Sequence, residues 1–339
     1  MGAPTGPSSS RQKTSAHEAA PQVDRDRLVG ALLGLAVGDA LGAPMEFAPR
    51  DTLPAVTGMR GGGRFGLEAG QWTDDTSMAL CLARSLIETG TFDLRDQAER
   101  FLRWRDEGYL TSTGRCFGIG HQPLWSLSDF ARTRRVLREP STRWTAGNGS
   151  LMRLAPVGIA FASDLDLADT LCRASSMTTH PLPVCVEACG AWGRLIALAV
   201  QGASRQTLYS QAKALAGQVH DGELATVLSG SYLHLSREEV RSSGYVVHTL
   251  EAALWAFAQT SSFADGALLA VNLGHDADTV GSVYGQLAGA FYGLNAIPQD
   301  WVRQLADGEM VLETAHELAG LSGTVSVSEE TAGLLDATG

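Results

Sequence analysis

GHDADTVGSVYGQLAGAFYG, residues 274–293, is the stretch whose reading decides the fold. Two carboxylates, Asp276 and Asp278, and the hydroxyl of Thr279 open it; glycine then recurs at Gly281, Gly285, Gly289 and Gly293. That period puts the glycines on one face of a helix. A second stretch, RLVGALLGLAVGDALG (residues 27–42), repeats the pattern with Gly30, Gly34, Gly38 and Gly42. Each mid-helix glycine costs about 1 kcal/mol against alanine, so two such stripes need a compensating gain. Close backbone approach supplies one, because bare faces let helix axes come nearer than the usual separation of about 8–10 Å. Both helices are therefore expected at the centre of the fold and closely packed, each being a candidate partner for the other. The alternative is coincidence in a chain with 38 glycines.

The rest of the chain points to an all-α protein. Helical spacing of apolar residues predicts helices near Thr76–Glu88, Asp96–Trp104, Leu165–Ser175, Val184–Ala199, Thr207–Ala216, Val246–Gln259 and Ala264–Leu273. Strand signals are few, and no alternation of strand and helix is visible. The expectation is a single compact, orthogonal multi-helix domain over residues 25–321 around a central buried pair. Residues 1–24 are rich in Ser, Pro, Ala and Gly and read as a disordered tail, and residues 322–339 as a loose one.

Composition narrows the class. A chain of 339 residues can bury a sizeable core, and 44% hydrophobic content with mean hydropathy near zero suits a soluble protein. The net charge of −11 comes without a basic stripe, which argues against direct nucleic-acid binding. Cys81, Cys116, Cys172, Cys185 and Cys189 are odd in number and lack paired zinc spacing, which suits reduced thiols and a cytoplasmic location. No run of about 18 uncharged apolar residues stands out, so no membrane span is expected. The N-terminus lacks a signal-peptide pattern, and a monomer is expected.

Acid marks the ends of the suspicious helices. The first runs into GDALGAPMEF, with Asp39 and Glu46; the last starts with Asp276, Asp278 and Thr279; GQWTDDTSMAL sets Thr73, Asp74, Asp75 and Thr76 before another helix. Helix capping explains one acid per site. It does not explain Asp74 beside Asp75, or Asp276 with Asp278, since crowded carboxylates repel unless cations are bound. Oxygen-only donors select hard cations such as Mg²⁺, Mn²⁺ or Ca²⁺. Two clusters would suit two ions, which can hold a bridging water and clamp a leaving group. The string DADTV also fits the D-x-D-x-[TV] nucleophile motif of haloacid-dehalogenase-type phosphatases. That motif should follow a buried strand early in a Rossmann-like domain, whereas here it is late and opens a glycine-rich helix.

The order GDALGAPMEF, GQWTDDTSMAL, GNGSLMR, TTH, GYVVHTLEAALWAF and GHDADTVG resembles the ADP-ribosylglycohydrolases, over roughly residues 25–321. The resemblance implies an all-α domain with two Mg²⁺ or Mn²⁺ ions in a cleft. The implied activity is release of ADP-ribose from an ADP-ribosylated protein or a small ADP-ribosyl adduct by attack of a metal-bound water at C1″. By the same match, Thr73, Asp74, Asp75, Asp276, Asp278 and Thr279 are the metal positions. Asp75 and Asp278 are expected to be catalytic, with Glu46 gating the site or assisting departure. Asn148, Gly149, Ser150, Met152 and Arg153 match a loop that cradles ADP-ribose; His180 lines the cleft and Tyr245 packs on the ligand. Taken alone, GNGS could equally be an interhelical turn, His180 a helix-end cap and Tyr245 a core aromatic.

The chain departs from the family at CFGIGHQ, where many members read F-D-I-G-N-T. Gly118 then stands in place of an aspartate and His121 in place of an asparagine. Both belong to the substrate-binding set, and their change predicts poor activity on ADP-ribosyl-arginine. The rival reading is a non-catalytic ADP-ribose-binding or crystallin-like relative, against which stands the complete metal set.

Overall fold

The two glycine-striped segments are helices, and they pack on each other. The computed structural model describes residue 2, residues 23–141 and residues 145–337. Among them are fifteen α-helices: α1 (Arg25–Gly42), α2 (Asp74–Thr89), α3 (Leu94–Glu107), α4 (His121–Thr133), α5 (Ala155–Ala160), α6 (Leu165–Met177), α7 (Pro183–Val200), α8 (Arg205–Ala216), α9 (Gly222–Leu228), α10 (Val246–Gln259), α11 (Phe263–Val271), α12 (Ala277–Tyr292), α13 (Gln299–Gln304), α14 (Gly308–Leu321) and α15 (Glu329–Asp336). The fold is all-α, as the periodicity predicts.

Helices α1 and α12 run antiparallel and share the most extensive helix–helix contact in the molecule. A Cβ added at Gly34 would run into the carbonyl of Gly285, and one at Gly285 into that of Gly34. Gly38 and Gly281 block each other in the same way, as do Gly30 and Gly289. Gly42 faces the backbone of Ala277 and Asp278, while Gly293 ends α12 in a left-handed turn with φ +84°. The stripe is thus a register device. It brings the C-terminal end of α1, and Glu46 just beyond it, to the N-terminal end of α12, where Asp276 and Asp278 stand.

Around this pair α2, α5, α7, α10, α11 and α14 close the core, with Trp72, Trp104 and Trp192 fully buried. By length and composition alone, Arg25–Met45 and Pro183–Val200 could cross a membrane, although neither is uncharged: Asp39 interrupts the first, Glu187 and Arg194 the second. Their windows are 100% and 83% buried, so here both are core helices of a helical domain. Trp72, Trp255 and Trp301 are buried, Trp125 is 43% exposed, and Trp144 lies outside the described residues.

Residues 1 and 3–22 of the expected tail also lie outside the described residues; Asp24 caps α1, accepting from the N–H of Asp26 at 2.9 Å. Past Leu321 the chain does not trail off. Strand β2 (Ser326–Val327) pairs in parallel with β1 (Thr91–Phe92), and Ser328 caps α15. The Oγ1 of Thr331 accepts from the N–H of Leu94, tying the segment to the start of α3. A short chain with few large apolar residues gives little periodic signal, which is why sequence reasoning reads it as loose.

Candidate active site

A cavity of about 280 Å³ opens where the N-termini of α2, α4 and α12 converge. Five carboxylates line one end: Glu46, Asp74, Asp75, Asp276 and Asp278. Gln122, Gly147, Asn148, Gly149, Met152 and His180 line the other wall, with Gly118 and His121 between.

Asp39 assembles the acid end without joining it. Its buried carboxylate accepts from the N–H groups of Thr73 and Thr76 at 3.0 Å and from the Thr76 hydroxyl at 2.6 Å. Four orphan donors open every helix, and here a carboxylate from α1 satisfies two of those of α2. Asp74 and Asp75, in the first turn, are thereby aimed at α12. The Asp75 carboxylate accepts from Ser282 Oγ at 2.6 Å, and Thr73 Oγ1 lies 3.3 Å from Asp278 Oδ2. Asp276 accepts from Asn148 Nδ2 at 2.5 Å, so the glycine loop is fastened to the acids.

Glu46 reaches the cluster from a strained loop. Phe47 and His275 both adopt left-handed backbone, with φ +64° and +59°. Two bonds join their loops: Phe47 N–H donates to His275 O at 2.6 Å, and His275 N–H donates to Ala48 O at 2.7 Å. Two non-glycine residues in that conformation are a cost that cross-linked loops can hold.

The acids are under electrostatic stress. Burial raises the pKa of all five, and neighbouring carboxylates push Glu46, Asp74, Asp75 and Asp278 further; Asp74 rises to about 7. Glu46 Oε2 and Asp278 Oδ1 are buried without a hydrogen-bond partner. Carboxylate oxygens of Glu46, Asp276 and Asp278 lie within 4.8 Å of one another. Among the described residues no lysine or arginine lines the cavity. Unpaired buried oxygens with no cationic side chain fit a hard divalent cation. Thr279 lines the same end; Thr73 sits behind it as the cap of α2.

The opposite wall is built on glycine. An added Cβ at Gly149 would lie 2.7 Å from His180 Cε1, so the loop rests directly on the imidazole. His180 is buried, its pKa lowered to about 3 by burial and by Arg153, so the ring is neutral. Its Nδ1 is 2.9 Å from Thr179 Oγ1, which also accepts from Arg153 at 2.8 Å. Arg153 itself is fully buried over the Phe101 ring and does not line the cavity. Ser150 bonds to Ser176 at 2.8 Å behind the wall. Tyr245 precedes α10 as its N-cap, pairs through its backbone with Gly147 and sets its ring edge-on to His248. These three support the loop from outside the cavity lining. Met152 lines it, held by Gln286 Nε2 through its carbonyl at 2.7 Å.

Gly118 backs onto the acids: with φ +77°, its added Cβ would overlap Asp74 Oδ1. His121 stands at the start of α4, exposed at the cavity mouth. Sequence reasoning missed Gln122, whose Oε1 accepts from Thr145 at 2.6 Å while Nε2 is unpartnered, and missed Phe47. The D-x-D-T string follows a turn, not a strand, which removes the phosphatase alternative.

Comparison with known proteins agrees with this geometry. The sequence profile of the ADP-ribosylglycohydrolases matches residues 20–327. The ADP-ribosylarginine hydrolase Tri1 of Serratia proteamaculans (strain 568) is 41% identical, the match covering 86% of this chain and 79% of that protein. The ADP-ribosyl-[dinitrogen reductase] glycohydrolase of Rhodospirillum rubrum is 34% identical, covering 83% and 90%. A solved structure, an ADP-ribosylglycohydrolase-related protein complex, superposes with TM-score 0.79 at 43% identity, covering 88% of this chain and 98% of that one. A helical frame that gathers acids opposite a glycine loop, and a family match along nearly its whole length, lead to one conclusion: the chain belongs to the ADP-ribosylglycohydrolase family, enzymes that hydrolyse ADP-ribosyl adducts.

Proposed function

We propose that the chain releases ADP-ribose from arginine-linked adducts, free or on protein, using two Mg²⁺ or Mn²⁺ ions at the acid end. The observation that carries the reading is the cluster of five carboxylates with unpartnered oxygens at one end of a cavity whose other wall is a glycine loop. Bound there, hard divalent cations would acidify water for attack at C1″ and polarise ribose hydroxyls. Asp74, Asp75, Asp276, Asp278 and Thr279 would hold them. Thr73 fixes the reach of Asp278 from behind. Glu46, on the loop after α1 and lining the acid end, would donate to the departing nitrogen. Gly149 would take the diphosphate through its backbone N–H, over a neutral His180, while Asn148, whose Nδ2 hydrogens go to Thr249 and Asp276, holds the loop against the acids.

The arginine assignment reverses the expectation drawn from Gly118. Two relatives at 41% and 42% identity are named ADP-ribosylarginine hydrolases. An aspartate at 118 has no room, because Asp74 already sets a carboxylate where its Cβ would go. That carboxylate can face a guanidinium in its place. Five free thiols, four of them buried, suit a reducing compartment, and we place the enzyme in the cytoplasm.

The test is direct. Purified protein with Mg²⁺ or Mn²⁺ is incubated with arginine-, serine- and nucleic-acid-linked ADP-ribose, and free ADP-ribose is measured. We expect the arginine adduct to be cleaved fastest and a chelator to stop release. No release from the arginine adduct, with turnover of another, refutes the assignment.

A further inference from the structure

We infer that Phe47 is the platform on which the guanidinium of the leaving arginine rests, an inference that builds on the arginine reading above. Four independent observations meet at this residue. Its ring lines the cavity yet is 53% exposed, the most open large hydrophobic side chain among the described residues. Its backbone is held left-handed by the bond to His275, a conformation uncommon for a bulky residue. It directly follows Glu46 in the chain and lines the same cavity as the five carboxylates. And a guanidinium already sits on it: Arg64 places its Cζ 4.8 Å from the ring centroid.

The surroundings extend the platform. Phe47 meets Phe65 edge to face at 6.3 Å between centroids, and Phe65 meets Phe117 at 5.2 Å. Phe117 adjoins Gly118, which presses on Asp74. An aromatic rim therefore links the two loops that flank the carboxylates. The substrate's ribose is directed at the acids and its diphosphate at the glycine loop. Its leaving group must emerge past Phe47 and Gly118. A planar cation emerging there meets an aromatic face on one side and the Asp74 carboxylate on the other. Aromatic faces attract guanidinium through their quadrupole, more strongly once water is excluded. Arg64, exposed and tethered to the same loop region, holds that face while no substrate is bound.

The test compares Phe47→Ala, Phe47→Leu and Phe47→Tyr with the wild type in two measurements: kcat/KM for ADP-ribosyl-arginine, and the calorimetric Kd of ADP-ribose in Mn²⁺ buffer. Alanine and leucine should each lower kcat/KM about tenfold, tyrosine should stay within about twofold, and the ADP-ribose Kd should hold within about twofold in all three. Leucine separates the aromatic face from apolar bulk. Arg64→Ala, which frees the ring, should raise kcat/KM. An unchanged kcat/KM in Phe47→Ala, an equal loss in the ADP-ribose Kd, or a loss of similar size in Arg64→Ala overturns the inference. Wild-type protein that leaves the arginine adduct intact but cleaves another linkage overturns the arginine reading itself, a separate and visible failure.

Discussion

Asp39 Oδ2 and Thr76 Oγ1 are 2.6 Å apart, and through that bond the end of α1 fixes the start of α2. Asp39 is fully buried, and burial raises its pKa to about 6 despite the donors around it. It is therefore a ligand to a helix and not to a cation. Asp39→Asn would turn an NH₂ toward donors that need an acceptor. We expect a loss of about 2–4 kcal/mol in stability, from unsatisfied buried donors and a weakened cap. Chemical denaturation measures it. Stability within about 0.5 kcal/mol of wild type would mean that α2 does not depend on this carboxylate.

The glycine stripe predicts opposite signs for one chemical change. Gly285→Ala puts a methyl into the carbonyl of Gly34 and should destabilise by about 1–3 kcal/mol through overpacking. Gly320→Ala, in α14, meets nothing within 4 Å and should stabilise by up to about 1 kcal/mol through helix propensity. Thermal melts of both variants decide it. If Gly285→Ala melts at or above the wild-type temperature, the close-packing account fails.

The carboxylate cluster predicts a trade between repulsion and binding. Asp278→Asn removes one charge from a buried group of like charges and leaves its unpartnered oxygen neutral. The metal-free variant should therefore melt higher than metal-free wild type. The rise in melting temperature on adding Mg²⁺ or Mn²⁺, large in wild type, should shrink. Asp75→Asn should behave alike, with Ser282 retained as a partner. A full metal-induced shift in both variants would remove these residues from the metal set.

Much of this was legible in sequence, and the gaps have physical causes. Gly30 through Gly42 and Gly281 through Gly289 announced a close pair because their period is that of a helix face. The acids were legible because adjacent aspartates have no structural excuse. Helix α4 was not, because HQPLWSLSDFART carries a proline near its start and an exposed Trp125. Arg153 and Ser150 looked like ligand contacts because they share a string with Asn148. Their side chains turn away from the cavity, to Phe101 and Ser176. Asp39 looked like part of an acid cluster, and only the fold shows it spent on capping. Motif order conveys which loops converge; it does not convey which way each side chain points.

At Gly118 the structure changes the expected sign of a substitution. Against the family pattern, Gly118→Asp reads as a gain of arginine recognition. In this fold the new Cβ overlaps Asp74 Oδ1, and φ +77° disfavours any side chain. Gly118→Asp should displace Asp74, weaken metal-dependent stabilisation and lower cleavage of the arginine adduct at least about tenfold. Raised activity would show that the loop relaxes to admit the carboxylate.

His180 supplies a pH signature that the carboxylates cannot mask if it is read as a difference. Its native pKa of about 3 lies below the ordinary value of 6.5, chiefly through burial and then through Arg153. Between those values the unfolded chain binds a proton that the native protein refuses. Stability is then fully present above about pH 6.5 and falls as the pH drops toward 3. From pH 7 to pH 5 this one group should take away about 2 kcal/mol. His180→Asn lacks the titration, so wild type minus variant should shrink by that amount over the same interval, whatever the constant offset from lost packing. Urea unfolding of both proteins at pH 7, 6 and 5 measures it. A difference that stays flat with pH would mean that His180 is protonated in the native state, and the neutral imidazole beneath Gly149 would have to be given up.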